Sequence, residues 1–94
     1  MILRIVKMSF QPEKTGEFLA IFNTNYQKIS GFNGCCEVRL LNDTKDSSVF
    51  MTYSIWNSAN DLEAYRQSDL FNTVWSKTKL LFKDKPMAWS IPYN

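Results

Sequence analysis

Few side chains in this sequence are equipped for chemistry, and their types narrow the choice. There is no histidine, so any proton acceptor must be Asp, Glu, Lys, Tyr or Cys. No pair of carboxylates has a spacing suited to acid–base work, and with only three glycines there is no phosphate-cradling loop. Cys35 and Cys36 are adjacent; neighbours on a strand point to opposite faces, so a disulfide between them would be badly strained. With no other Cys and no His, no zinc site can be assembled. The two thiols read as reduced packing groups of a cytosolic protein, and nothing beside them in sequence would lower a pKa to make one reactive.

What remains is aromatic and amide chemistry around Asn60, Asp61, Tyr65 and Trp75. Tyr65 and Trp75 fall on successive helical segments and admit two readings. In one they face a common space between helices and sheet that takes a flat aromatic molecule, with the phenol as hydrogen-bond donor. In the other both are core, as the position of Trp75 in a stripe between Phe71 and Phe82 suggests. Asn60 and Asp61 read first as helix caps and second as functional groups. Asn25, on the apolar stripe of the first helix, reads as a ligand contact, a satisfied buried amide or a locally exposed residue.

The elements that must position these groups follow from periodicity. Residues 1–10 alternate as a strand, with Ile2, Val6, Met8 and Phe10 on one face and Leu3 and Ile5 on the other. Pro12 breaks it. A helix is predicted over 14–30, where Phe18, Ile21, Phe22, Asn25, Tyr26 and Ile29 form one stripe, and Gly31 and Gly34 close it. Strands are predicted over 35–42 and 48–56, joined through the polar turn 42–47 as a hairpin. Asn60 and Glu63 have capping-box spacing for a short helix over 61–67. Ser68-Asp69 opens a longer helix carrying Phe71, Val74, Trp75, Thr78, Leu81 and Phe82, ended by Pro86. Met87, Trp89, Ile91 and Tyr93 alternate along a last strand, which Pro92 marks as an edge. The order β-α-β-β-α-β, with two right-handed crossovers, gives an α+β, ferredoxin-like, four-stranded antiparallel sheet with helices on one face.

Ninety-four residues make a single domain, 1–94. The seven Phe, four Tyr and three Trp exceed what one small core needs, which leaves aromatic surface for a subunit contact or a ligand cavity. Helices cover one sheet face, yet the third strand puts Val49, Met51, Tyr53 and Ile55 on one side and Phe50 and Trp56 on the other. An open face would ordinarily be polar, so a homodimer through the sheet face is expected. Arg4 and Lys7, costly to bury, are expected at the rim or paired with Glu37 across the sheet.

A net charge of +2 with scattered lysines falls short of a nucleic-acid footprint. Lys77, Lys79, Lys83 and Lys85 read as the wet face and end of a helix. The charged start suits neither a signal peptide nor a membrane span, so no membrane association is expected and the chain reads as cytoplasmic.

Two stretches, Ile29-Ser30-Gly31-Phe32-Asn33-Gly34-Cys35 and Tyr53-Ser54-Ile55-Trp56-Asn57-Ser58 followed by Leu62 to Phe71, resemble the turn into strand two and the strand-three-to-helix segment of the antibiotic biosynthesis monooxygenase family, of the dimeric α/β-barrel superfamily. The resemblance implies a homodimer and a cofactor-independent monooxygenase acting on a small quinol- or anthrone-like aromatic. Members that degrade haem use an axial histidine, whose place here resembles Trp75, and a strand-one asparagine, where this chain has Lys7 or a neighbour. Their helix tryptophan corresponds to Tyr65. Lacking His, the chain is not expected to ligate haem, and no cofactor or metal is implied. Cofactor-free members hold a phenolic substrate with Asn, Trp, Tyr or Arg, a set that Tyr65 with Asn60 or Asp61 partly reproduces. The alternative is a non-catalytic dimeric domain of the same fold that binds a small ligand or serves as an interaction module. An RNA-binding domain of this strand order is weaker, because residues 48–56 lack the basic-glycine-aromatic pattern that stacks bases.

Overall fold

A computed structural model describes residues 1–94. The elements are β1 (Ile2–Ser9), α1 (Thr15–Ser30), β2 (Cys35–Asn42), β3 (Val49–Trp56), α2 (Ala59–Arg66), α3 (Asp69–Thr78) and β4 (Met87–Pro92), with single 3-10 turns before α1 and after α3. The sheet runs β2-β3-β1-β4 with every neighbouring pair antiparallel. This is the ferredoxin-like α+β architecture expected from the alternation of elements. Pro92 ends β4 at the sheet edge, opposite Ile2, where its missing N–H leaves no gap in a central ladder. No helix is long and apolar enough to cross a membrane.

Even-numbered residues of β1 and β3 point towards the helices. Met8, Phe10 and Phe50 are buried there with Phe18, Phe22 and Ile29 of α1, Val38 of β2 and Leu81. Phe10, wholly buried, stacks on Phe18 with ring centroids 4.2 Å apart and contacts Phe50 and Phe82. The odd-numbered side chains turn to the other face, which no helix covers. At its margins Leu41, Met87, Trp89 and Ile91 are large apolar groups between 41% and 52% exposed.

Three local expectations are corrected. The second helix is capped by Ser58, not Asn60: the Ser58 hydroxyl accepts from the Asp61 N–H at 3.1 Å and donates to the Asp61 carboxylate at 3.0 Å. Asn60 lies inside the first turn and is exposed. The third helix does not continue to Pro86. It tightens after Thr78 because the chain is drawn onto the end of β1, where the Gln11 N–H donates to the Leu81 carbonyl at 3.0 Å and Phe10 bridges Phe82. Arg4 does not meet Glu37, whose carboxylate pairs with Arg39 at 2.9 Å on the opposite side of the sheet. The break predicted at Ser68 is present, its hydroxyl accepting from the Phe71 N–H at 3.1 Å.

Gly34, at the entrance to β2, has φ +87°, and a Cβ built on it would lie 2.4 Å from the side chain of Asp61. The turn and the α2 cap therefore occupy one another's space. Gly34→Ala should destabilise the protein by roughly 2 kcal/mol or more, read as a lower urea midpoint at unchanged m-value, whereas Gly16→Ala, where a Cβ would meet nothing within 4 Å, should be neutral or stabilising.

Candidate functional site

A cavity of about 250 Å³ lies between the helical layer and the sheet. Its floor is Arg4, Val6 and Met8 of β1 with Thr52, Ser54 and Trp56 of β3, and its roof comes from α1, α2 and α3. Most of the lining is apolar. The exceptions are Arg4 and Arg66, the hydroxyls of Thr52, Ser54 and Thr78, and the polar ends of Tyr65, Trp56 and Trp75. No carboxylate, lysine or histidine faces it.

Tyr65 is fixed from three sides. Its ring stacks on Trp56 with centroids 4.9 Å apart, and Phe32 and Phe71 meet it edge-on at 5.3 Å each. The ring is also held from its own backbone, because the Tyr65 carbonyl ends α2 by accepting from the Ser68 hydroxyl at 2.6 Å. The phenol makes no hydrogen bond within the protein, yet no partnerless buried polar atom is present, so this hydroxyl is not sealed in. Burial, reinforced by nearby Cys35, pushes its pKa up to about 12. At neutral pH the group is therefore a hydrogen-bond donor and not a base.

Trp75, from α3, lines the same cavity; it stacks on Phe71 at 5.9 Å and meets Phe82 edge-on at 5.5 Å. Both it and Tyr65 also pack against the hydrophobic core, so packing and cavity lining are one and the same surface here. Asn60 and Asp61 are not brought to the cavity. Asp61 serves the α2 cap and Asn60 is exposed beside it. Asn25 satisfies its amide locally, donating to the Ile21 carbonyl at 2.8 Å. The partners of Tyr65 and Trp75 in the cavity come from elsewhere.

Arg4 lines the cavity from its solvent-exposed rim, one of the two places expected for it. Its guanidinium Nη1 donates to the Ser90 hydroxyl at 2.9 Å, bridging β1 to β4. Burial, then the nearby Arg66 charge, hold its pKa below the usual value, with Glu63 opposing. Parity was the available signal: Arg4 shares a face with Val6, Met8 and Phe10. The thiols of Cys35 and Cys36 are free; Cys36 Sγ lies 3.0 Å from Asn57 Oδ1, and burial pushes the Cys35 pKa up. No three His, Cys, Asp or Glu side chains converge on a point that would hold a metal ion.

A four-stranded antiparallel sheet under three helices, with an aromatic cavity between the layers, defines a ferredoxin-like α+β domain. The chain belongs to the antibiotic biosynthesis monooxygenase family, whose model matches residues 1–74. It is similar in fold to a crystal structure described as an antibiotic biosynthesis monooxygenase, at a TM-score of 0.93 and 16% identity over 100% of this chain and 99% of the other. A conserved protein from Methanosarcina mazei superposes with a TM-score of 0.92 at 16% identity, covering 100% and 94% of the two chains. A protein from Mycobacterium tuberculosis does so with 0.90 at 12% identity, covering 99% and 94%. No curated protein matches the chain by sequence. The family match stops just before Trp75, while the structural likeness extends through α3 and β4.

The high pKa of Tyr65 has a consequence for stability. A phenol whose folded pKa lies above its unfolded value of 10.0 favours the folded state in its protonated form. That contribution is complete below pH 10 and is lost as the pH rises towards 12. Tyr65→Phe should therefore flatten the fall in stability across that window, measured by urea unfolding at stepped pH, and should remove one of the late-ionising phenols, of which Tyr53 is another, from an ultraviolet titration.

Proposed function

We propose that this protein is a cofactor-independent monooxygenase acting on a small quinol- or anthrone-like aromatic held between Tyr65 and Trp75. The observation that carries the proposal is the Tyr65 hydroxyl: a protonated donor without a protein partner, on a ring locked by Trp56, Phe32 and Phe71, beside an apolar cavity. Such a donor suits a phenolic oxygen that gains negative charge as the substrate ionises. For an anthrone-like substrate the electrons come from the substrate itself. Its ring methylene and dioxygen give a ring carbonyl and one water, so no external reductant enters the balance. The proton lost on ionisation passes to solvent, because the lining holds no carboxylate, lysine or histidine.

That same lack of a base supports a second reading, in which the domain binds an aromatic molecule without turning it over. Oxygen uptake with a panel of reduced naphthoquinols separates the two. Catalysis predicts uptake above autoxidation that falls about tenfold or more in Tyr65→Phe and also falls in Trp75→Phe. Uptake equal to autoxidation in all three proteins, with ligand binding retained, leaves the binding domain.

We further propose that the working unit is a homodimer through the open sheet face, in a reducing, cytoplasmic setting consistent with two free thiols. Trp89, Ile91, Met87 and Leu41 lie exposed around that face, beside Leu3 and Ile5 of β1 and Val49, Met51, Tyr53 and Ile55 of β3, with Lys7 and the Arg39–Glu37 pair as its charged groups. An uncovered apolar face of this kind favours burial against its own copy. Sedimentation should give twice the 11.0 kDa chain mass, and Trp89→Glu should shift the protein to monomer without unfolding it. A wild-type protein that stays monomeric at high concentration would contradict the dimer.

A further inference from the structure

The cavity is apolar along its length and cationic at one place. Arg4 sits in mid-strand, opposite Ser54 of β3 and Ser90 of β4, on the face otherwise given to Val6, Met8 and Phe10. Arg66, the last residue of α2, lines the same cavity. Only two ion pairs form in the molecule, Arg39 with Glu37 and Arg66 with Glu63. Arg4 has neither, and its single hydrogen bond, from Nη1 to Ser90, leaves most of its N–H donors unused.

Arg4 is half-exposed, so water serves part of its guanidinium, while the part that faces the cavity has no counter-charge. Arg66 makes matters worse for Arg4 by repulsion, and the Glu63 carboxylate that offsets Arg66 is shared with Gln67, which donates to it at 2.9 Å. Counting Arg4, Arg66 and Glu63, the place carries one net positive charge. That balance is met by a monoanion, and the planar fork of a guanidinium matches a carboxylate best. A volume of about 250 Å³ lies just below the usual range of small-molecule sites, which starts at about 300 Å³, and so suits a compact, flat ring system.

We propose that the ligand is an aromatic monocarboxylate, its ring beside Tyr65 and Trp75 and its carboxylate on Arg4. This names the substrate class for the cavity and rests on the reading of that cavity as a small-molecule site. Arg4 then serves as a binding and orienting residue: it fixes which end of the ring system faces Tyr65. Arg66, exposed and already paired, contributes a supporting field and not the main contact.

Calorimetric titration with 2-naphthoate and its neutral isostere 2-naphthamide tests the assignment. The carboxylate is expected to bind about tenfold or more tightly than the amide. Arg4→Gln should abolish that preference by weakening naphthoate far more than naphthamide, and Arg66→Gln should reduce it only a few-fold. Equal affinities in the wild-type protein, or a preference that survives Arg4→Gln, would overturn the anionic subsite and leave the aromatic cavity standing. Binding of neither compound would remove both. Should Arg4→Gln fail to fold, ionic strength decides with the native protein: from about 20 to 500 mM salt, naphthoate affinity should fall and naphthamide affinity should hold, and a naphthoate affinity indifferent to salt overturns the proposal.

Discussion

Phe10 has no exposed surface, and its contacts with Phe18, Phe50 and Phe82 bind the helical layer to the centre of the sheet. From there the ring contacts run without interruption. Phe82 meets Trp75, Trp75 meets Phe71, Phe71 meets Tyr65, and Tyr65 meets Trp56 and Phe32. In the other direction Phe18 leads to Phe22 and Tyr26. All seven phenylalanines belong to this seam. Each contact contributes ~1 kcal/mol beyond the area it buries, but the larger effect is positional, because interlocked rings have few ways to move singly. The cavity is thus the unfilled part of the same packing that holds the fold together, and its walls are as fixed as the core.

The backbone adds a second constraint at the break between α2 and α3. Ser68 donates to the Tyr65 carbonyl and accepts from the Phe71 N–H, so one hydroxyl closes one helix and opens the next. The two rings flanking that break, Tyr65 and Phe71, meet edge-on. A continuous helix would carry residues 65 and 71 on different faces, since six residues span about 600° of rotation. The interruption is what lets both contribute to one wall.

Much of this was legible in the chain. Alternation gave β1 to β4 almost to the residue, and Ser68-Asp69 marked the helix break, because period-two burial and side-chain caps are local. The face assignment of β3, with Phe50 and Trp56 inward, followed from parity alone. What was not legible depended on distant partners. Asn60 with Glu63 had the spacing of a capping box, yet Ser58 took the position because Asp61 is pinned against Gly34 from another loop. The third helix ended early because Phe82 and Leu81 were claimed by the end of β1, a contact across more than seventy residues. The charge of Arg4 suggested the rim, where it is half-exposed, but only its place in the alternation shows that it faces the cavity.

β4 has its own consequence. Every one of its residues is exposed, although Ala88 and neighbouring Pro86 line the cavity. The cavity thus reaches an edge strand of the sheet, which has no neighbour on its far side. An occupant of the cavity lies beside a strand of its wall that is flanked on a single side. It also leaves the opposite side of the sheet free for another task.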